Sequence, residues 1–219
     1  MTVTILLFLP LLAALLLLFF KNAQAKHAAL FFAVAELALS VIMLVKFVPD
    51  TTAQFGADYI WIPQIGAYFT AGIDGVNIIP VMLTTLMVPT IILATYQHEY
   101  YTRAKVFYAL ILFMQAGLLT VFTAFDGFLF YVGWEIALVP IYFICALWGG
   151  ENRIRVTLKF FIYTFAGSLF MLLALIYLYT QNPARTFDLH QFYALALTQK
   201  QQDLVFWAFF LAFAIKVPV

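Results

Sequence analysis

The sequence predicts an all-α protein of the lipid bilayer: a polytopic transmembrane bundle of six complete helices and the start of a broken seventh, with its N-terminus outside. Three observations predict it. Hydrophobic residues make up 66% of the chain and charged residues 10%, with a mean hydropathy of +1.02, far outside the range of soluble domains. Apolar runs of about 20 residues, the length that crosses a bilayer core, recur along the chain. Basic residues gather in alternate connections between those runs.

The elements follow in order. Residues 3–20 form the first run; no positive residue precedes them and no A-x-A site follows before Lys21, so they read as a helix rather than a signal peptide. The second run, 28–47, carries Glu36 near its middle. Residues 48–75 are too polar and too broken to span, holding Asp50, Asp58, Asp74 and four glycines among aromatics. Pieces around Tyr59 to Ile62 and Ala67 to Thr70 suit a short hairpin with its aromatics at headgroup level. Runs 76–96, 106–125, 128–148 and 158–179 give four more helices. Residues 181–203 are polar again, with room for a short amphipathic helix, and a seventh run begins near Leu204. The chain divides into residues 1–75, two helices and an outer hairpin, and residues 76–219, the remaining helices.

Orientation follows from charge. Lys21, Lys26, Arg103, Lys105, Arg153, Arg155 and Lys159, seven of the 11 Lys and Arg residues, fall after odd-numbered runs. Arg185 and Lys200 occupy the other side, with Lys46 at a helix end, so the odd-to-even connections are expected in the cytoplasm.

Several functions are excluded or unsupported. A net charge of +1 leaves no global basic patch for nucleic acid. The single cysteine, Cys145, allows neither an intramolecular disulfide nor a Cys-ligated cluster and reads as a small core residue. His27, His98 and His190 are expected in connecting segments, which offers no intramembrane haem ligands. No Walker A loop and no GxGxxG is present, so the chain is expected to bind no cofactor and no metal of its own.

Against that background Glu135 stands out as the sole ionisable acid or base in the run 128–148. A charge at a helix centre in lipid costs at least about 2.5 to 3.5 kcal/mol on insertion scales, and such residues line proton or substrate paths. Seven residues from the start of the run at about 1.5 Å each place it about 10 Å into a core about 30 Å thick. Pro140, five residues on, frees the carbonyl of Ile136 and should kink the helix beside the carboxylate. A structural alternative stands beside this reading, a carboxyl bonded to a serine or threonine of a neighbouring helix.

Lys216 is the second half of the site. Its Cα lies about 18 Å along the seventh run, and its flexible stem can cover much of the offset to Glu135. Pro218 follows and breaks the helix at mid-membrane, the arrangement in which transporters line a hydrated cavity. The alternative is a lysine near the helix end that snorkels to the surface. Weaker candidates are Glu36, for which structural pairing is favoured over proton handling, Lys159, and the tract holding Tyr163, Thr164 and Ser168, which suits either a water path or polar helix packing.

Four stretches carry a family resemblance: GIDGVNI (72–78), FYVGWEIALVPIYFICALWGG (130–150), RIRVTLKFFIYTFAGSLFMLLA (153–174) and AFFLAFAIKVPV (208–219). They closely resemble the M-type antiporter-like subunit of respiratory complex I, the proton-pumping NADH:quinone oxidoreductase. The tryptophan-glutamate pair is shared with the other antiporter-like subunits and with Mrp-type antiporters. The resemblance implies the first part of an antiporter-like inverted-repeat fold, with the second repeat continuing beyond residue 219.

It also implies that Glu135 and Lys216 are the family's proton-translocating pair, Lys216 carrying the proton and Glu135 shifting its affinity. Physically, a near carboxylate favours the ammonium, and its withdrawal lets desolvation favour the neutral amine. Energy would come from quinone chemistry in partner subunits that hold NADH, FMN, iron-sulfur clusters and quinone, so this chain would do no redox chemistry itself. Expected partners are the L-type and N-type antiporter-like subunits and the lipid, in a bacterial inner membrane. Two other functions remain open: a subunit of an Mrp-type cation/proton antiporter, and a non-catalytic scaffold of the membrane arm.

Overall fold

The computed structural model describes residues 2–49, 52–96 and 103–217. In chain order these form α1 (Thr2–Leu17), α2 (Asn22–Lys46), β1 (Gln54–Ile62), β2 (Ala67–Ile73), α3 (Ile78–Thr95), α4 (Ala104–Thr123), α5 (Gly127–Trp148), α6 (Arg153–Gln181), α7 (Leu189–Tyr193) and α8 (Gln199–Lys216). Each predicted run is a helix. Five, α2 to α6, are long and apolar enough to cross a membrane; α1 is a shorter apolar helix. The outward surface matches that setting, with Phe31, Val45, Leu86 and Leu173 all exposed on helices.

The boundaries move outward for local reasons. α2 starts at Asn22 rather than residue 28, because Ala23, Ala25, Ala28 and Ala29 favour helix around Lys26 and His27. His27 is therefore helical, not in a connection; its ring bonds the Tyr96 hydroxyl, while the Lys26 ammonium lies 4.6 Å from the centre of the Tyr96 ring. α6 takes in Arg153, Arg155 and Lys159 and runs 29 residues, about 43 Å at 1.5 Å per residue, longer than a bilayer core about 30 Å thick. His190 likewise belongs to a helix, the short α7. His98 lies outside the described residues.

The expected hairpin is present: β1 and β2 pair antiparallel, Tyr59 opposite Phe69 and Ile60 opposite Tyr68. Its turn ends on Gly66 at φ +62°, where a Cβ would fall 2.0 Å from the Arg185 carbonyl oxygen, so only glycine fits. The hairpin caps one end of the bundle. Val3, Leu6 and Leu7 of α1, Met43 of α2, Ala57, Ala71 and Ile73 of the hairpin and Leu119 of α4 share one apolar cluster there. A second cluster fills the opposite end between α1, α2, α3 and α4, through Ala13, Ala29, Ala33, Ile92 and Leu112. Both clusters draw on helices from either side of residue 75.

α5 is fixed to this end by Asp126. Its carboxylate caps the helix, accepting from the backbone N–H of Phe128 and Leu129 at 2.9 Å each, and reaches across to accept from Tyr68 of β2 at 3.1 Å. The backbone adds Phe125 N–H to Thr70 O and Gly127 N–H to Phe187 O, both 2.8 Å. α4 then packs closely on α5, since a Cβ on Gly117 would meet the Ala137 backbone nitrogen at 2.7 Å.

Candidate functional site

Glu135 sits on the third turn of α5, and that helix continues without interruption through the buried Pro140. The proline leaves Ile136 without its helical N–H partner but does not end the helix. The Oε1 atom of Glu135 is buried with no hydrogen-bond partner. Next to it, the Trp134 ring packs edge-on against Phe213 of α8 with centroids 5.3 Å apart, and its indole N–H is also buried without a partner.

Lys216 is the last residue of α8; Val217 is already extended, at φ −82° and ψ 125°. Cβ atoms tilt toward a helix N-terminus, so the lysine stem runs back along α8. There its ammonium donates to the Trp134 carbonyl at 3.3 Å and lies 3.8 Å from the centre of the Trp134 ring. The Glu135 carboxylate acts on it electrostatically. The direct contacts of the lysine are to the tryptophan that precedes Glu135 in the chain. A cation over a partly desolvated indole gains roughly 1 to 2 kcal/mol. A glycine lets α8 come this close: a Cβ on Gly167 of α6 would fall 2.7 Å from the Ile215 side chain, one residue before Lys216.

The other sequence candidates divide. Ser168 is buried and donates to the Phe165 carbonyl at 2.8 Å; the Tyr131 hydroxyl lies beside it and within electrostatic reach of Glu135. Thr164 is buried and bonded within its own helix. Tyr163, by contrast, is 61% exposed, on a face of α6 that the other described helices leave uncovered. Lys159 is exposed on that helix too, bordering a groove with Arg155 and Tyr163. Cys145 is exposed rather than in the core, on the outer face of α5. Glu36 is buried in α2, with neither carboxyl oxygen bonded. Pro218 lies outside the described residues.

Sequence reasoning passed over Trp134 as a contact, Asp126 and Gln115. Asp126 was detectable, as an N-cap aspartate two residues before an apolar run. Gln115 was not, because a neutral amide in an apolar run breaks no charge rule.

The fold and this site define an antiporter-like membrane helix bundle. Residues 124–219 match the family described as NADH:quinone oxidoreductase/Mrp antiporter, TM. The chain is 38% identical to NADH-quinone oxidoreductase subunit M of Rickettsia typhi, over 99% of this chain and 46% of that protein. It superimposes on a chain of respiratory complex I from Thermus thermophilus with a TM-score of 0.87 at 29% identity, covering 100% of this chain and 44% of that one. A chain of the Mrp complex from Dietzia sp. gives 0.85 at 18% identity, covering 100% and 24%, a likeness of fold alone. The chain is thus a homologue of the M-type antiporter-like subunits of complex I, an integral membrane protein matching their N-terminal portion. It spans about half the length of the curated relatives it matches.

Proposed function

We propose that this chain belongs to a proton-translocating membrane-arm subunit of NADH:quinone oxidoreductase, and that protons pass through Glu135 and Lys216. The observation that carries the proposal is the Lys216 ammonium held on Trp134, one residue from a carboxyl oxygen with no partner. Lys216 holds the proton, and the tryptophan ring and carbonyl keep its ammonium in place without an ion-pair bond. Glu135, adjacent, sets how strongly the charged form is favoured. A small displacement of either helix end changes that balance, which is what a carrier needs in order to load and release. Pro140 supports this by leaving the Ile136 carbonyl unpaired beside Glu135, and so does the end of α8 directly after Lys216, where the sequence continues to Pro218.

In this reading residues 1–75 flank the module and residues 76–219 begin it, the N-terminus and hairpin face outside, and the membrane is the bacterial inner membrane. Driving energy comes from quinone reduction in partner subunits that hold NADH, FMN and iron-sulfur clusters. The neighbours are the L-type and N-type antiporter-like subunits. A second reading, a subunit of an Mrp-type cation/proton antiporter, is favoured by the likeness to the Mrp chain and by the family description.

The test is Glu135→Gln in the assembled protein, with proton uptake by vesicles measured beside NADH:quinone turnover. Loss of proton movement in an intact complex supports translocation. Loss of assembly with no separate effect on proton movement supports a scaffold. Purification without any NADH-oxidising partner supports the antiporter.

A further inference from the structure

A second buried polar assembly lies between α2, α3 and α4, on elements that do not carry Glu135 or Lys216. Two apolar clusters stack along these helices, one containing Met43, Val81 and Leu119, the other Ala33, Val88 and Leu112. Between them, about one turn from each, every one of the three helices turns polar side chains inward. Glu36 and Ser40 come from α2, Thr85 from α3 and Gln115 from α4, none more than 1% exposed. The Ser40 and Thr85 hydroxyls meet at 2.7 Å, which fixes α2 against α3 at this level.

Both carboxyl oxygens of Glu36 and both amide atoms of Gln115 are buried without a protein partner. Four unpaired polar atoms in an apolar interior would cost several kcal/mol if left unsolvated. Among the described residues no cation is bonded to Glu36. α1 and α3 contain no titratable residue, and the one buried polar atom of α1 without a partner is the Thr4 hydroxyl. α4 offers Tyr108, two turns from Gln115, and Lys105, which donates to the Leu18 carbonyl at the far end of the bundle. The other charges of α2 are Lys26, His27 and Lys46, near its ends. An isolated carboxylate is expensive here, whereas a protonated carboxyl donates and accepts as an amide does. At one level of the bundle the acid and the amide present donors and acceptors of the kind that hold internal water, which takes two to four such bonds.

We propose that Glu36 and Gln115, walled by the Ser40–Thr85 bond, form an internal water-binding site in which Glu36 holds a proton, separate from the Glu135–Lys216 pair. Two measurements on the full protein in its membrane assembly test it. Infrared spectra of wild type minus Glu36→Gln should contain a protonated-carboxyl stretch that is lost in the variant, moves on transfer to deuterium oxide, and moves again in Gln115→Leu. A carboxylate band in its place, or a carboxyl band indifferent to deuterium oxide or to Gln115→Leu, overturns the proposal. A wild-type density map that resolves ordered water needs no variant to fold. Water within hydrogen-bond distance of both Glu36 and Gln115 is expected, and side chains packed there with no water between them overturn it.

Discussion

Glu36 and Glu135, two carboxyl groups on different spans, sit in opposite kinds of place. Glu36 lies between two apolar clusters in a layer closed by α2, α3 and α4, with no cation bonded to it among the described residues. Glu135 follows Trp134, the residue that holds the Lys216 ammonium at the point where α8 ends, and lies within electrostatic reach of Tyr131. Burial alone therefore does not set the surroundings of an acid. What differs is whether a charge of opposite sign comes within electrostatic reach.

The largest effect that would sharpen the contrast belongs to the lysine. Lys216→Ala should lower proton movement by at least about tenfold, the scale of one lost charge interaction of about 1.4 kcal/mol, and Lys216→Arg should not restore it, because guanidinium does not release its proton. Vesicle acidification assays read both, and full activity in Lys216→Ala would remove the lysine from the pathway. Next in size, Gly117→Ala should cost about 3 kcal/mol, since the new methyl meets backbone of α5 that cannot turn aside. Thermal unfolding in detergent measures it. Asp126→Ala should cost about 2 kcal/mol by stripping the cap and the bond to Tyr68 together. At Gly167 the obstacles are side-chain atoms of Ile215, Cδ1 at 2.7 Å with Cγ2 and Cβ behind it, rather than backbone, so Gly167→Ala should cost about 1.5 kcal/mol while still disturbing proton movement. An unchanged rate there would show that Lys216 does not depend on close packing of α6 and α8.

The smallest effect concerns acid. Burial, aided by Asp188, pushes the Asp126 carboxyl above the ordinary aspartate range, against the pull of the backbone donors of Leu129, Tyr68 and Phe128. The folded protein then holds this proton more tightly than the unfolded chain does. Its contribution to stability is complete below the unfolded value, about 3.9, and is lost as pH rises through the folded one. Asp126→Asn keeps an acceptor for the cap and should flatten the fall in melting temperature from about pH 4 upward. An unaltered slope would assign that pH dependence to other groups.

Spans and the candidate pair were legible because lipid imposes strict rules: apolar runs of fixed length, and charges within them only for a reason. The hairpin was legible from glycines and aromatics around residues 59–70. Helix ends were less so, as with α2, where alanines extend the helix past the apolar run to Asn22. Cys145 was misassigned because in a bilayer the outside is as apolar as the inside, so composition within a run does not say which face a residue takes. The Trp134 contact with Lys216 was beyond sequence, since it depends on a backbone carbonyl brought near by a different helix.

Asp126 ties the first turn of α5 to a strand, and the neighbouring backbone ties it to the loop before α7. That end of the helix behaves as a clamped beam. A push from a neighbouring subunit cannot slide α5 lengthwise without dragging the hairpin along. Glu135 lies between that clamp and Pro140, so motion that alters its spacing to Lys216 must come chiefly from travel of α8.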